Sequence, residues 1–126
     1  MAGSLKLLFA APMLLSLVAG CATFSLGGLS SRDCLARAMY FESNRSSEEG
    51  MLAVGTVVMN RVADKRYPQS VCGVVGQKNQ FAPGVLSKKM TEKRSAAMAY
   101  SVADKVLRGA RHPTLSRDVK HFHTAG

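Results

Sequence analysis

Two stretches of helical periodicity, set back to back, limit what this chain can become. In the second, Ser46-Ser47-Glu48-Glu49 reads S-x-x-E, a capping box with Ser46 as N-cap and Glu49 at N3. Met51, Val54, Val58 and Val62 follow on one helical face, widened by Gly55 and Val57. Glu48 and Glu49 sit where the helix dipole favours negative charge, and Arg61, Lys65 and Arg66 suit the opposite end before Tyr67-Pro68 closes the helix. The first stretch starts near Ser31 or Arg32. There Leu35, Ala38, Met39 and Glu42 fall at i, i+3, i+4 and i+7, and Asn44-Arg45 suit a helix exit. An apolar stripe thus ends in a carboxylate directly behind Tyr40 and Phe41. A glutamate on a buried face needs a partner or a task. The plainer alternative is a solvated helix charge.

The rest of the chain continues the helical pattern. "SVCGVVGQ", from Ser70, reads as a short apolar turn or helix, and "KNQFAPGVLSKK" as a loop broken at Pro83-Gly84. A third long helix is expected from about Thr91 to Arg108, with Ala96, Ala99, Tyr100, Ala103, Val106 and Leu107 as its stripe and Gly109 as its stop. Val119 to His123 is the one candidate strand. The fold class is therefore mainly α (α+β), with any sheet small.

The N-terminus has the layout of an export signal. Lys6 precedes an apolar run from Leu7 to Val18, and small residues follow at Ala19 and Gly20. Pro12 and the short apolar length argue against a membrane span. Val18-Ala19-Gly20-Cys21 resembles a bacterial lipobox, which implies cleavage before Cys21 and acylation of that cysteine. Acyl chains add roughly 0.8 kcal/mol per buried methylene, enough for stable anchoring with several chains. Ala22 rather than Asp follows, which in the Gram-negative sorting pattern implies the inner leaflet of the outer membrane, facing the periplasm. The alternative is an ordinary secreted protein with a cysteine at its cleavage site. The expected organisation is a signal peptide at 1–20, a lipidated tether at 21–31 and one domain at 32–126.

Export frames the other cysteines and the charge. Cys34 and Cys72 form an even pair in an oxidising compartment. A bond between them closes a loop of about 38 residues and stabilises by roughly 3–4 kcal/mol in the chain-entropy model. Two buried free thiols satisfy the same spacing. The formal net charge is +9, from 17 Lys and Arg against 8 Asp and Glu. Removing the leader takes only Lys6 among charged residues, leaving 16 minus 8, or +8. A basic exported chain suits peptidoglycan with its peptide carboxylates, or a phosphorylated envelope, and argues against nucleic acid as the partner.

"CLARAMYFESNRSSEEGMLAVGTVVMNRV", followed by "YPQSVCGVVGQKNQF", resembles the SleB-type cell-wall hydrolases, the spore cortex-lytic enzymes and their proteobacterial relatives. The resemblance runs from Cys34 to about Phe81 and resumes weakly at "VKHFHTAG". It implies a lysozyme-like domain that acts on the glycan strands of peptidoglycan, with no cofactor. It places the catalytic glutamate at Glu42, and it matches Asn60, Arg61 and Val62 to the family's Asn-Arg-Val word and Gln80 and Phe81 to its Gln-Phe word. Asn60, Gln80 and Phe81 are then expected to line or support the cleft, with His123 at its border. Helix-end and loop hydrogen bonding is the alternative for Asn60 and Gln80. Many members carry a second glutamate where this chain has Ser46, and usually continue beyond the "HFHTAG" word. The resemblance thus implies a C-terminally truncated domain with an incomplete β part.

Chemistry follows from the count of acids. A carboxyl in an apolar pocket has its charged form disfavoured, which makes it the general acid that glycoside cleavage needs. Hydrolysis normally takes two carboxylates flanking the bond. No second acid is placed for that task here. A lytic transglycosylase needs one: Glu42 protonates the oxygen between N-acetylmuramic acid and N-acetylglucosamine, and the muramoyl C6 hydroxyl replaces water. Muramidase hydrolysis and a catalytically impaired peptidoglycan-binding lipoprotein are the competing readings. His112, His121 and His123 lack the carboxylate or cysteine partners of a metal centre, so no metal is expected. A Cys34–histidine nucleophile lacks any local signature, and a disulfide forbids it.

Overall fold

The structure, a computed structural model, describes Gly3, residues 28–43, residue 45 and residues 47–121. The leader apart from Gly3, and Cys21, Asn44, Ser46 and His123, lie outside the described residues. The architecture is mainly α, with four helices among the described residues: α1 (Ser31–Glu42), α2 (Glu48–Val62), α3 (Val71–Val75) and α4 (Lys93–Leu107). Helix α1 packs against α2, α3 and α4, and α2 also touches α3 and α4.

Helix α1 begins at a capping box built from Ser30 and Asp33. The Ser30 hydroxyl accepts from the Asp33 N–H at 3.1 Å, and the Asp33 carboxylate accepts from the Ser30 N–H at 3.0 Å. Cys34, Leu35, Ala36, Ala38, Met39 and Tyr40 are all buried. Ala36 lies off the expected stripe, so the helix is enclosed on more than one side. A disulfide joins Cys34 to Cys72 of α3, with Cα atoms 5.2 Å apart.

Helix α2 starts one residue later than its sequence indicated. Its N-cap is Ser47, whose side chain accepts from the Gly50 N–H at 3.1 Å. Either of two adjacent serines can serve as a cap, and here the later one does. Glu48 then reaches Lys105 at 3.3 Å, and Glu49 reaches His112 at 3.2 Å. The stripe of Met51, Val54 and Val58 is buried, with Gly55 and Val57 beside it, and Val62 is half-buried. Gly55 lies at a close approach. A methyl there would run into Met39 Cε of α1 and Val106 Cγ2 of α4.

Helix α4 turns a slightly different face inward than expected. Ser95, Ala99, Val102, Ala103 and Val106 are buried, whereas Leu107 is 42% exposed. The buried set keeps the i, i+3, i+4, i+7 spacing from Ala99, and Leu107 lies one residue past it. The helix ends at Gly109, φ +109°, where the Gly109 N–H bonds to Val106 O and the Ala110 N–H to Lys105 O. That is a Schellman termination, whose left-handed position suits glycine. At the other side of the helix, Arg32 clasps Asp104 through two bonds of 2.6 and 3.0 Å and stacks 4.5 Å from the Tyr100 ring centre.

The strand expected at Val119 to His123 does not form over its described part. Residues 119–121 are irregular, and the Val119 N–H closes a turn to Ser116 O at 3.2 Å. The reason lies in α2. Asn60 Nδ2 donates to Ser116 O at 3.0 Å and to Val119 O at 2.9 Å, and Arg61 Nε donates to Lys120 O at 2.6 Å. Side chains take the carbonyls that a strand partner would otherwise take.

Removing the disulfide with Cys72→Ser is expected to lower unfolding free energy by roughly 3–4 kcal/mol, read by urea denaturation. Acid is also expected to weaken the fold. Hydrogen bonds from Ser30 hold the Asp33 carboxyl below its usual range, and the Arg32 and Arg66 guanidiniums do the same for Asp104 and Asp64. A depressed carboxyl contributes stability above its unfolded pKa and loses it as pH falls through the folded value. Thermal midpoints should therefore stay level from neutrality down to about pH 4 and drop below it.

Candidate functional site

Glu42 is the last residue of α1, and its position follows from what holds that helix end. Tyr40 is buried, and its hydroxyl accepts the Glu92 N–H at 3.0 Å, tying α1 to the start of α4. Phe41 packs edge-on against Tyr40, with ring centres 4.8 Å apart and planes at 81°. Arg45 then folds back over both rings, its guanidinium 4.6 Å from the Tyr40 centre and 5.7 Å from the Phe41 centre. Such stacking is a cation–π arrangement. The Arg45 backbone has φ +64°, in the left-handed region that a branched or long side chain seldom occupies. Its carbonyl is held by the Ser95 hydroxyl at 2.7 Å, and its guanidinium reaches Glu92 at 3.5 Å.

The Glu42 carboxyl is half-buried, and Oε1 accepts the Ala82 N–H at 2.6 Å. Among the described residues, no other hydrogen bond to this carboxyl is formed. A glutamate on the last turn gains nothing from the helix dipole, so helix stability does not account for it. Ala82 belongs to a groove of about 590 Å³ shaped by residues 75–87. Val75, Phe81 and Val85 form its buried side, Lys78 its charged edge, and Gly84 turns the chain at φ +76°. Glu42 therefore touches the groove's wall through a backbone amide. No side-chain pattern could have announced Ala82, because its contribution is a peptide N–H.

The expected site residues do not all gather there. Phe81 lines this groove while 8% exposed, with the Arg61 guanidinium 5.4 Å from its ring centre. Gln80 is exposed, and its N–H bonds to Gln77 O at 3.3 Å. Asn60 lies elsewhere, on a second groove of about 960 Å³ between the end of α2, Gly109 and residues 111–120. It is 7% exposed there and makes the two carbonyl bonds described above. Its neighbour Arg61 is 3% exposed, and burial pulls its guanidinium below the usual range. Stacking on Tyr67 and Phe81 and the bond to Lys120 O compensate in part. The His112 ring is engaged by Glu49 and by Thr114, and the His112 backbone N–H donates to Thr56 Oγ1 at 2.8 Å.

The remaining acids are nearly all occupied. Asp33 caps α1, Glu48 pairs with Lys105, Glu49 with His112, Asp64 with Arg66, Glu92 with Arg45, and Asp104 with Arg32. Of the 8 acidic residues, this leaves Glu42 beside one groove and Asp118 on the other.

Residues 45–126 match the family described as Cell Wall Hydrolase. The chain belongs to that family. Comparison with curated proteins and with solved structures gave no match. The matched stretch of this cell wall hydrolase contains both grooves, Asn60, Gln80 and Phe81, and starts just after Glu42. Its polymer substrate is peptidoglycan.

Replacing Asn60 with alanine is expected to leave the Ser116 and Val119 carbonyls unpaired and to lower stability by about 1–3 kcal/mol. Amide exchange in residues 116–120 should rise by more than exchange in the core of α1. Equal rises in both would count against a local anchoring role.

Proposed function

We propose that this cell wall hydrolase cleaves peptidoglycan glycan strands between N-acetylmuramic acid and N-acetylglucosamine as a lytic transglycosylase, with Glu42 as its single acid and base. One observation carries the reading. Glu42 is the acid beside the 75–87 groove that no basic side chain neutralises among the described residues, and the one hydrogen bond it accepts among them comes from the groove's own Ala82 amide, on Oε1.

The mechanism needs only that group. Protonated Glu42 gives its proton to the glycosidic oxygen as the bond from muramoyl C1 breaks. The resulting carboxylate takes the proton of the C6 hydroxyl while O6 bonds to C1. The products are a shortened strand and a 1,6-anhydro end, and Glu42 is again protonated. Holding O6 near C1 makes the second step intramolecular, which is where proximity contributes most. The Ala82 amide steadies Glu42 through one oxygen and leaves the other to exchange the proton. The leader supports a lipid-anchored enzyme facing the periplasm, with Cys21 acylated.

The test is digestion of purified peptidoglycan by wild-type chain and by Glu42→Gln, with mass analysis of released fragments. Anhydro-muropeptides are expected from wild type, with release lowered by at least about a hundredfold in the variant, the scale of a lost general acid. Reducing-end products would instead indicate a hydrolase. Glu92, joined to the end of α1 through Arg45, would then be the second carboxylate to substitute. Unchanged release by Glu42→Gln would overturn the assignment of Glu42.

A further inference from the structure

The second groove shares no lining residue with the groove beside Glu42. Its volume of about 960 Å³ lies within the range of roughly 300–1,000 Å³ typical of ligand clefts. Four cations line it, Lys65, Arg111, Arg117 and Lys120, together with Asp64 and Asp118. The internal pairing does not neutralise them. Asp64 is bound by Arg66 at 2.7 Å, from outside the lining, and stands 3.9 Å from Lys120. Lys120 Nζ donates to Arg117 O at 2.6 Å. The Arg111 guanidinium meets only carbonyls, Val106 O at 2.9 Å and Ala110 O at 2.7 Å. Lys65 and the Arg117 guanidinium have no hydrogen-bonding partner among the described residues, and neither does the Asp118 carboxylate. Burial, and then the like charge of Arg117, hold the Arg111 guanidinium below its usual range, as expected of two cations lining one groove.

The mixture of signs narrows the ligand. Three cations without carboxylate partners call for carboxylates or phosphates. An unpaired Asp118 among them disfavours a uniform polyanion and favours a ligand that also carries an amine. We propose that this groove is a second substrate site that takes the acidic, amine-bearing peptide stems of the wall polymer. The inference rests on the peptidoglycan reading above. It gives the chain two hands on one polymer, one for the sugar strand at Glu42 and one for its peptide branches. The groove's far wall is the segment that Asn60 and Arg61 pin by its carbonyls, which keeps Arg117, Asp118 and Lys120 in place without a sheet.

The experiment is co-sedimentation of the full-length chain, carrying Glu42→Gln to spare the polymer, with wall sacculi. One sample of sacculi is intact and the other is stripped of stems by an amidase. The double reversal Lys65→Glu/Arg117→Glu is compared with Lys93→Glu/Arg94→Glu. The latter pair opens α4, about 23 Å along the helix from Gly109 at 1.5 Å per residue. Both pairs are exposed, and helical circular dichroism checks that each variant is folded. The parent chain should bind intact sacculi about tenfold more tightly than stripped ones, equivalent to about 1.4 kcal/mol, and should lose that margin near 0.3 M salt. Lys65→Glu/Arg117→Glu should abolish the margin, and Lys93→Glu/Arg94→Glu should keep it. Equal binding to intact and stripped sacculi, or an unaffected double reversal, would overturn the proposal. So would competition by polyphosphate with none from a soluble stem tripeptide, since the groove would then belong to phosphate. Failure of the two readings is distinguishable. A chain that prefers intact sacculi while its wild-type form releases no fragments keeps this groove and removes the Glu42 assignment. One that releases fragments but shows no preference does the reverse.

Discussion

The enclosure of α1 is the constraint on which everything else rests. Three helices pack on it, and six of its twelve residues are buried. A helix covered on several sides cannot slide or rotate without opening voids in a close-packed interior. Its beginning is fixed by the Ser30–Asp33 cap and the disulfide to α3, and its end by the Tyr40 hydroxyl and the stacked Arg45. Glu42 inherits that rigidity. An acid that must meet a scissile oxygen at hydrogen-bond range needs such placement more than it needs an unusual environment. In a domain of this size the core alone supplies modest stability, so the covalent tie between α1 and α3 has a large relative effect.

Much of this was legible in the residues, and the exceptions share a cause. The apolar faces of α1 and α2 follow from spacing alone, because burial repeats with the helical period. The start of α2 falls one residue after the position its capping pattern suggests, because adjacent serines are locally equivalent as caps. Local spacing alone does not separate them, and the helix that forms places Glu48 and Glu49 against Lys105 and His112, distant in sequence. The inward face of α4 was shifted for a similar reason: Leu107 looks apolar, but Val102 lies on the packed side. At the site, the paired aromatics and Glu42 were visible, whereas the Ala82 amide was not. Backbone donors carry no signature in the sequence. Asn60 and Arg61 stood out as a word, yet what they do depends on carbonyls of residues 116–120, more than fifty positions on.

The charges divide the molecule by task. Six of the 8 acids are engaged, one in a cap, four in ion pairs and Glu49 with the His112 ring, which leaves the excess of cations largely unanswered. Exposed pairs of that kind each contribute little to stability. Their larger effect is to remove negative charge from the surface and leave a positive field around the 111–120 groove. Such a field gathers a negatively charged polymer before any contact is made.

Anchoring a wall by its carbonyls has a consequence for how the chain can change over time. Every residue type brings the same carbonyl, so Asn60 and Arg61 hold positions 116, 119 and 120 without regard to what side chains stand there. The groove's lining can be rewritten one residue at a time while its shape persists. Two neighbouring positions on α2 thus act as a fixed hinge-pin for a surface whose chemistry is open to selection. Altered affinity for a decorated polymer would then arise in the loop, and loss of the loop itself in the helix.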